Sequence, residues 1–327
     1  MESPQVSVIM PARNAARFIA ASIDSVIAQS FSRWELVVVD DGSEDDTAQI
    51  AGRYAALDAR IRLLSLPHRR LAEARNAGIR ASSAPWVAFL DSDDLWHPEK
   101  LNRQVGIVNS GIADLVFTGC RMFFSDEPPG RPSCQISGSW SGSEMYRLLA
   151  DRNRFAVSSV IVSREALDLS GLFDTDPRCF GVEDYDLWLT LARNGISFHG
   201  LPDLLTSYRV HEDSLSRNVR LMIESMRQVM HKHGLLDRAS GRRSLSRFAA
   251  ILLLDEFFID CRGGRLDSAL RRLADAWAWS PLTLCRPGRM AAVCKWALVT
   301  TLRLRPSPPV LTLNQESRRP VQQLIEP

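Results

Sequence analysis

Short apolar runs alternate with stretches of helical periodicity over roughly the first ninety residues of the chain. The apolar runs are rich in β-branched residues and predict four strands, at 6–10, 34–39, 61–65 and 86–90. Between them, apolar residues recur at helical spacing in three segments, 15–29, 47–54 and 71–81. This alternation predicts a parallel central sheet with right-handed crossover helices, which is an α/β fold.

The pattern continues less regularly up to His211. We expect a helix that starts at Pro98, strands at 114–119 and 157–162, and a helix at 185–193 that Asn194 and Gly195 close. Residues 196–209 predict two short strands on either side of Pro202. The Ser-, Gly- and Pro-rich segment 125–142 predicts a flexible excursion or lid.

Beyond this point the sequence predicts only helices. They span 219–236, 243–261, 265–279 and 288–304, and 306–327 has the composition of a disordered tail. We therefore expect a catalytic domain at 1–218, a helical C-terminal extension at 219–305 and the tail at 306–327. Residues 289–305 mix apolar with basic side chains, so this helix either packs in a bundle, the commoner arrangement, or lies on a membrane surface.

Composition narrows the class of protein. Hydrophobic residues make up 45% and charged residues 24% of the 327, as in ordinary globular proteins, and a net charge of +2 gives no reason to expect a nucleic-acid partner. The six cysteines show no Cys-x-x-Cys spacing and predict reduced thiols. With neither a signal-peptide pattern nor an apolar run of membrane-spanning length, we expect a cytoplasmic protein.

Three carboxylates follow the fourth predicted strand within four positions, at Asp91, Asp93 and Asp94. Carboxylates this close repel one another, and a divalent cation with a preference for oxygen ligands, Mg²⁺ or Mn²⁺, would relieve the repulsion. Ligands of open α/β sheets bind outside the carboxyl ends of the strands, where this cluster falls. The alternative is a solvated acidic turn.

Polar residues also follow the first two strands. Pro11, Arg13 and Asn14 come after the first, and Asp40 and Asp41 after the second. Because parallel strands end at one edge, these groups should converge with the acidic cluster on one crevice. The acidic pair has the acceptors for a base N–H or for ribose hydroxyls, although a turn followed by a helix cap explains it equally.

Other charged residues have two explanations each. Arg75 lies within the third helix and is either solvated or functional. Glu183 and Asp184, at a helix start, are either favoured by the helix dipole or supply a general base. Arg209 and His211 offer a cation and an imidazole near the end of the sheet domain, or a structural pair.

Five motifs occur in the order found in family 2 glycosyltransferases, and together they resemble that family over residues 5–215. They are Val6-Ser-Val-Ile-Met-Pro-x-x-Asn14, Glu35-Leu-Val-Val-Val-Asp-Asp-Gly-Ser43 with Asp45 and Thr47, Ala74-Arg-Asn-x-Gly78, Phe89-Leu-Asp-x-Asp-Asp94 and Glu183-Asp-x-Asp-Leu-Trp188. The resemblance implies the GT-A fold and an inverting transfer from a nucleotide sugar, with residues 5–119 binding the donor and 120–218 holding the acceptor and base.

The resemblance also implies roles for particular residues. Asp41 would hold uracil or ribose beside Asp40, Asp93 would bind the metal, and Asp91 would contact the metal or donor. Asp184 would be the base, with Glu183 beside it. The remaining donor-site candidates are Pro11, Arg13, Asn14, Arg75, Ser92, Arg209 and His211. Many members have an aromatic residue where this chain has Arg13, whose planar guanidinium could stack on the base instead.

The expected partners follow from this resemblance. They are a UDP-sugar donor, a glycan or lipid-linked acceptor, Mg²⁺ or Mn²⁺, and the inner face of the cell membrane as a peripheral site. A nucleotidyltransferase is an alternative, although the segment 11–15 lacks the glycines of a triphosphate-binding loop. An acid phosphohydrolase with Asp91 as nucleophile and a catalytically silent scaffold with the same fold are the others.

Overall fold

The computed structural model describes residues 2–124, 132–134, 136–211, 214–262, 264–285 and 289–293. The chain forms two compact units, and the boundary between them follows His211. The first contains a mixed sheet, with helices between its strands. Its helices are α1 (Ile19–Ile27), α2 (Thr47–Leu57), α3 (Leu71–Ala81), α4 (Lys100–Asn109), α5 (Gly142–Asp151), α6 (Arg164–Ser170) and α7 (Glu183–Arg193).

Ten strands form the described part of the sheet. They are β1 (Val6–Ala12), β2 (Trp34–Asp40), β3 (Ile61–Ser65), β4 (Trp86–Phe89), β5 (Leu95–Trp96), β6 (Leu115–Phe124), β7 (Pro132–Cys134), β8 (Gly138–Trp140), β9 (Val160–Ser163) and β10 (Phe198–Val210). Their order is β3-β2-β1-β4-β9-β6-β10-β5, with β7 beside β6 and β8 beside β10.

The predicted parallel half is present as β3-β2-β1-β4. All seven residues of β1 are buried, as expected for a strand with both faces covered. In the register, Ala12 lies opposite Asp40 and Ile9 opposite Phe89, so β1, β2 and β4 end at one edge of the sheet. This edge carries the polar residues that the sequence placed there.

Helix α3 packs closely on these strands at Gly78. A Cβ at this position would lie 2.6 Å from Cγ2 of Ile9 and 3.0 Å from Cγ2 of Val39. The glycine therefore lets the helix backbone approach β1 and β2, and the approach fixes where Arg75 and Asn76, one turn earlier, stand above the sheet.

Several expectations about individual elements were wrong in detail. Pro11 lies within β1 rather than ending it. Residues 196–209 form one strand, β10, which passes Pro202 through register shifts between Gly200 and Thr206. Strand β5 was not predicted because two residues give no periodicity, and β9 runs antiparallel between β4 and β6.

The excursion predicted at 125–142 is only partly described. It contains β7, β8 and the start of α5, while residues 125–131 and 135 lie outside the described residues. Helix α5 begins at a capping box, in which Ser141 and Glu144 exchange side-chain and backbone hydrogen bonds. This helix was not predicted from the sequence.

The second unit is helical, as predicted. Its helices are α8 (Val219–Lys232), α9 (Ala239–Arg262), α10 (Leu266–Trp279) and α11 (Pro281–Leu284). Its core includes Leu253, Leu254 and Phe257 of α9. Within the described ranges, no helix has both the length and the hydropathy that crossing a membrane requires. Most of the helix predicted at 288–304 and all of the tail predicted at 306–327 lie outside those ranges.

Candidate active site

The loop after β3 closes on the carboxylate of Asp41. This buried side chain accepts hydrogen bonds from the backbone amides of Arg69, at 2.6 Å, and Arg70, at 2.9 Å, and it lies 2.9 Å from Nδ1 of His68. Gly42 makes the approach possible, because its φ is +72° and a Cβ there would lie 2.9 Å from the His68 amide nitrogen. Both oxygens of the Asp41 carboxylate therefore accept hydrogen bonds, which fix the orientation of this side chain at the end of β2.

The loops after β1 and β2 interlock beside it. Asn14, at a φ of 49°, donates its backbone amide to Ser43 Oγ and accepts the Glu44 amide at 2.8 Å. Asp40 is buried, and its Oδ1 accepts the Ser43 amide at 3.3 Å. The exposed Arg13 points to His68, with 2.9 Å between Nη1 and Nδ1. These contacts bring the first two groups of predicted residues together.

Arg75 joins the acidic motif to helix α7. The side chain is 2% exposed, with Nη2 2.7 Å from Asp91 Oδ1 and Nη1 2.5 Å from Glu183 Oε1. Burial opposes the charge of this arginine, yet the two carboxylates raise its pKa above its already high value. Both terminal nitrogens are therefore occupied inside the protein, rather than directed at a nucleotide as we expected from the resemblance.

Asp184 stands next to this ion-pair network. Burial, and then the negative charge of Glu183, raise the pKa of Asp184 to about 7, while Arg75 and the Tyr185 amide act in the opposite direction. Asn153 donates its Nδ2 to Asp184 Oδ2 at 3.4 Å, and the Oδ1 atom of Asn153 is buried without a hydrogen-bond partner among the described residues. A carboxylate with a pKa near neutrality has the protonation behaviour of a general base.

Asp93 and Asp94 face the end of β10. Asp93 Oδ2 lies 2.9 Å from Nε2 of His211, and its backbone carbonyl accepts Nε of Arg209 at 2.7 Å. Asp94 is buried, and it accepts the Ser158 hydroxyl at 2.6 Å and the Arg209 amide at 2.9 Å. Asp94 thus anchors the strand that carries Arg209.

Two further contacts hold this end of the site. The Ser92 carbonyl accepts the hydroxyl of Ser22, which ties the acidic turn to α1. The guanidinium of Arg209 lies 4.9 Å from the ring of Phe18 and 4.4 Å from that of Phe123, and burial lowers its pKa. The predicted residues of the acidic motif, α7 and β10 therefore form one connected cluster.

The acidic pair fits a divalent cation held jointly with a phosphate group. Asp91 and Asp93 are 26% and 31% exposed, and each uses one oxygen on Arg75 or His211. Their other oxygens accept no hydrogen bond from a described residue. No group of three or more His, Cys, Asp or Glu side chains in the described ranges is arranged to hold a metal alone. Mg²⁺ commonly takes one or two carboxylates and completes its shell with water and substrate phosphates.

Two positioning residues received no role from the sequence, although one of them, Asn76, lies in the Ala74–Gly78 motif. Asn76 follows Arg75 on α3 and binds the backbone of Phe173, which lies before α7. Asn153 lies outside every motif. An asparagine inside an apolar helix face signals a buried hydrogen bond, so Asn76 was open to discovery from sequence. Asn153 was not, because its partner Asp184 lies 31 residues later in the chain, beyond β9 and α6.

Solved structures share this architecture over most of the chain. TarS 1–349 of S. aureus in complex with UDP-GlcNAc has a TM-score of 0.56 at 17% identity and covers 91% of this chain and 92% of its own. The mannosyltransferase PcManGT of Pyrobaculum calidifontis, in complex with GDP-Man and Mn²⁺, has a TM-score of 0.55 at 21% identity, over 93% and 87%. At these identities the likeness concerns the fold, and it places the chain among proteins with the GT-A fold.

The sequence itself identifies the family. Residues 7–167 match the model of glycosyl transferase family 2. The Escherichia coli protein WfgD, named a UDP-Glc:α-D-GlcNAc-diphosphoundecaprenol β-1,3-glucosyltransferase, is 31% identical over 228 residues, which are 67% of this chain and 82% of the relative. The chain belongs to glycosyl transferase family 2 and is a glycosyltransferase, so the predicted fold and family are confirmed.

Proposed function

We propose that the protein transfers a sugar from a UDP-sugar to a hydroxyl group of a glycan or lipid-linked acceptor, with inversion at the anomeric carbon. One observation carries the proposal: Arg75 joins Asp91, of the donor-side motif, to Glu183, whose neighbour Asp184 has a pKa of about 7. The groups needed to bind a diphosphate and to remove a proton are thereby held in one rigid network.

The donor side rests on Asp41 and the two interlocked loops. A UDP-sugar is favoured because TarS binds UDP-GlcNAc and WfgD is named for UDP-glucose. The Asp41 carboxylate, which the amides of Arg69 and Arg70 hold in place, presents acceptor oxygens to an N–H of the base or to the ribose hydroxyls. Pro11, Arg13, Asn14 and Asp40 complete this side of the crevice by shaping the loops.

The base is Asp184. It takes the proton of the acceptor hydroxyl as the oxygen attacks the anomeric carbon from the face opposite the leaving diphosphate. Because this single displacement needs no enzyme nucleophile, the absence of a Ser-His or Cys-His pair from the motifs agrees with it. Glu183 is paired with Arg75, and after burial its negative charge is the next cause that raises the pKa of Asp184.

Asp93 and Asp91 would hold Mg²⁺ or Mn²⁺ together with the donor diphosphate. A cation bound there supplies Lewis-acid stabilisation of the leaving group. His211 and Arg209 approach Asp93 from the other side, so they orient its carboxylate and place positive charge beside the diphosphate. The structure of PcManGT with Mn²⁺ supports a metal in a protein of this fold.

The acceptor class rests on the name of WfgD, which acts on a sugar linked to diphosphoundecaprenol. A lipid-linked acceptor requires the enzyme to work at a membrane surface. The cytoplasmic location and the peripheral membrane association expected from the sequence belong to the same proposal.

Transfer and hydrolysis assays with a panel of nucleotide sugars test this function. UDP-glucose and UDP-GlcNAc should be hydrolysed slowly in the presence of Mn²⁺, and Asp184→Asn should abolish transfer to an acceptor while UDP binding persists. Calorimetry of UDP with and without Mn²⁺ should show metal-dependent binding that Asp93→Asn removes. Full turnover by Asp184→Asn would reject the base, and equal UDP affinity with and without Mn²⁺ would reject the metal site.

The same assays separate the remaining alternatives. A catalytically silent scaffold would bind UDP without turnover under any condition. A nucleotidyltransferase would release pyrophosphate from a nucleoside triphosphate, which the metal-dependent transferase should not do.

A further inference from the structure

Positive charge is concentrated in one part of the chain. Residues 214–305 contain 17 Lys or Arg and 7 Asp or Glu, a net charge of +10, although the whole chain carries only +2. The remaining residues, which include the first unit, are therefore net acidic. A basic excess of this size on a helical unit attracts anionic surfaces and concentrates them against it.

A groove between α8 and α10 shows where this charge is available. Its volume is about 540 Å³, and its apolar lining includes Val219, Ile223 and Leu253. Arg220 and Arg272 line its polar part and form no ion pair with a described residue, whereas Arg227 is paired with Glu224 at 2.6 Å. The groove also contains Glu224 and Asp275, and the charges of Arg220 and Arg272 act on Glu224 and Asp260 without forming an ion pair, so the hydrogen-bond donors of these two guanidinium groups remain available to an anion.

An exposed aromatic residue stands at the same groove. Trp279, at the end of α10, lines it and is 42% exposed, and Leu282 of α11, three residues later, is 83% exposed. An indole with both an apolar ring and an N–H donor suits the interface between headgroups and acyl chains. Arginine and tryptophan side chains beside an apolar surface are suited to the headgroup region of a lipid bilayer, where phosphates accept hydrogen bonds and acyl chains contact the ring.

We propose that this groove face, defined by Arg220, Arg272 and Trp279, docks the protein on an anionic phospholipid membrane together with the exposed Leu282 that follows Trp279 in the chain. The guanidinium groups contact lipid phosphates, and Trp279 and Leu282 enter the headgroup layer. The inference rests on the proposed function, whose membrane association it deepens by assigning the membrane contact to described helices rather than to the segment 289–305.

Vesicle flotation with the full chain tests the proposal. Wild-type protein should float with phosphatidylcholine vesicles that contain phosphatidylglycerol and should remain below with phosphatidylcholine alone. The double variant Arg220→Gln/Arg272→Gln should bind about thirtyfold more weakly, because each basic residue near an anionic surface strengthens binding about fivefold. Trp279→Gln should weaken binding even at high salt, where the electrostatic part is screened.

Matched controls lie in the first unit. Arg53→Gln/Arg193→Gln removes two exposed arginines, and Leu57→Gln removes an exposed apolar residue that is 87% accessible, so both should float like wild type. Binding that is equal for the groove variants and the controls would overturn the proposal, as would equal flotation with both vesicle types.

Other occupants of the groove give different results. Inorganic phosphate that displaces the protein from vesicles at constant ionic strength would identify a small-anion site. A change of oligomeric state in Trp279→Gln would identify an interface between copies. Groove exposure that rises on deletion of 294–327 would identify that segment as the cover, and each of these results overturns the membrane assignment. Because donor hydrolysis is measured separately on the same samples, failure here is distinct from failure of the proposed transferase function.

Discussion

The side chain of Asn76 pairs with both backbone groups of Phe173, with its Nδ2 2.8 Å from the carbonyl oxygen and its Oδ1 3.0 Å from the amide nitrogen. Both residues are 2% exposed. The Asn76 side chain thus pairs with the backbone of Phe173 in the way that the backbone of a neighbouring strand would. This pairing holds the segment before α7 against α3. Since Arg75 binds Glu183 one residue earlier on α3, two adjacent side chains fix the placement of the proposed base.

We expect Asn76→Ala to destabilise the protein by about 2 kcal/mol, because two buried backbone groups lose their partners. Asn76→Asp should be at least as harmful, since it turns an acceptor toward the Phe173 carbonyl. Urea denaturation measures both changes. Asn102→Ala is the control: its exposed side chain bonds only Glu99, and it should change stability by less than about 0.5 kcal/mol. Equal stability of the two alanine variants would contradict the anchoring role.

The rate of transfer should depend on pH through Asp184. Because the pKa of this carboxylate is about 7 and the ionised form is the base, kcat should fall about tenfold per pH unit below neutrality and level off above it. The groups that face it and set this value are Glu183, Arg75 and Asp91. Steady-state kinetics between acid and mildly alkaline pH provide the measurement, and a profile that is flat across neutrality would be inconsistent with the assignment.

Asn153 should shift that profile without abolishing it. Its N–H bond stabilises ionised Asp184, so Asn153→Ala should raise the apparent pKa of kcat by about half a unit. Asn194→Ala is the matched control, because its side chain bonds Ser170 at the far end of α7. A lower maximal rate with an unmoved midpoint would show that Asn153 contributes packing only.

Two glycines in helices should respond to alanine with opposite signs. At Gly78 the new methyl group meets Ile9, so we expect a loss of about 1–3 kcal/mol. At Gly106, in α4, a Cβ would meet nothing within 4 Å, and alanine should add about 0.5–1 kcal/mol through helix propensity. Thermal denaturation of the Gly78→Ala and Gly106→Ala variants measures both changes. A loss of stability at Gly78 alone would show that this glycine is needed for the close packing of α3 on the sheet.

The sequence predicted the parallel half of the fold well because each strand there is a short run dominated by apolar residues and each helix is amphipathic. It located the bounds of α3, Leu71–Ala81, without error. It did less well beyond β4, where β5 spans two residues and β10 bends through Pro202, since neither leaves a periodic signal. The positions of β5 and β10 are determined by their pairing with strands that are distant in the sequence.

The candidate site was likewise predicted only in part from the sequence. Convergence of the residues after β1, β2 and β4 was predicted from strand direction, and the register shows that these three strands end at one edge of the sheet. The partners of Arg75 did not follow, because a helix position gives no information on which carboxylates 16 and 108 residues away will lie beside it. Asn153 was missed for the same reason.

The contact between Asp41 and the loop after β3 uses the main-chain amides of Arg69 and Arg70. Every amino acid except proline carries that amide, so this part of the crevice keeps its hydrogen-bond donors whatever side chains stand at 69 and 70. Substitution at these positions is therefore free to alter charge at the mouth of the crevice while the hold on Asp41 is kept, except that proline would remove an amide donor and that the φ of +78° at Arg70 also disfavours β-branched residues.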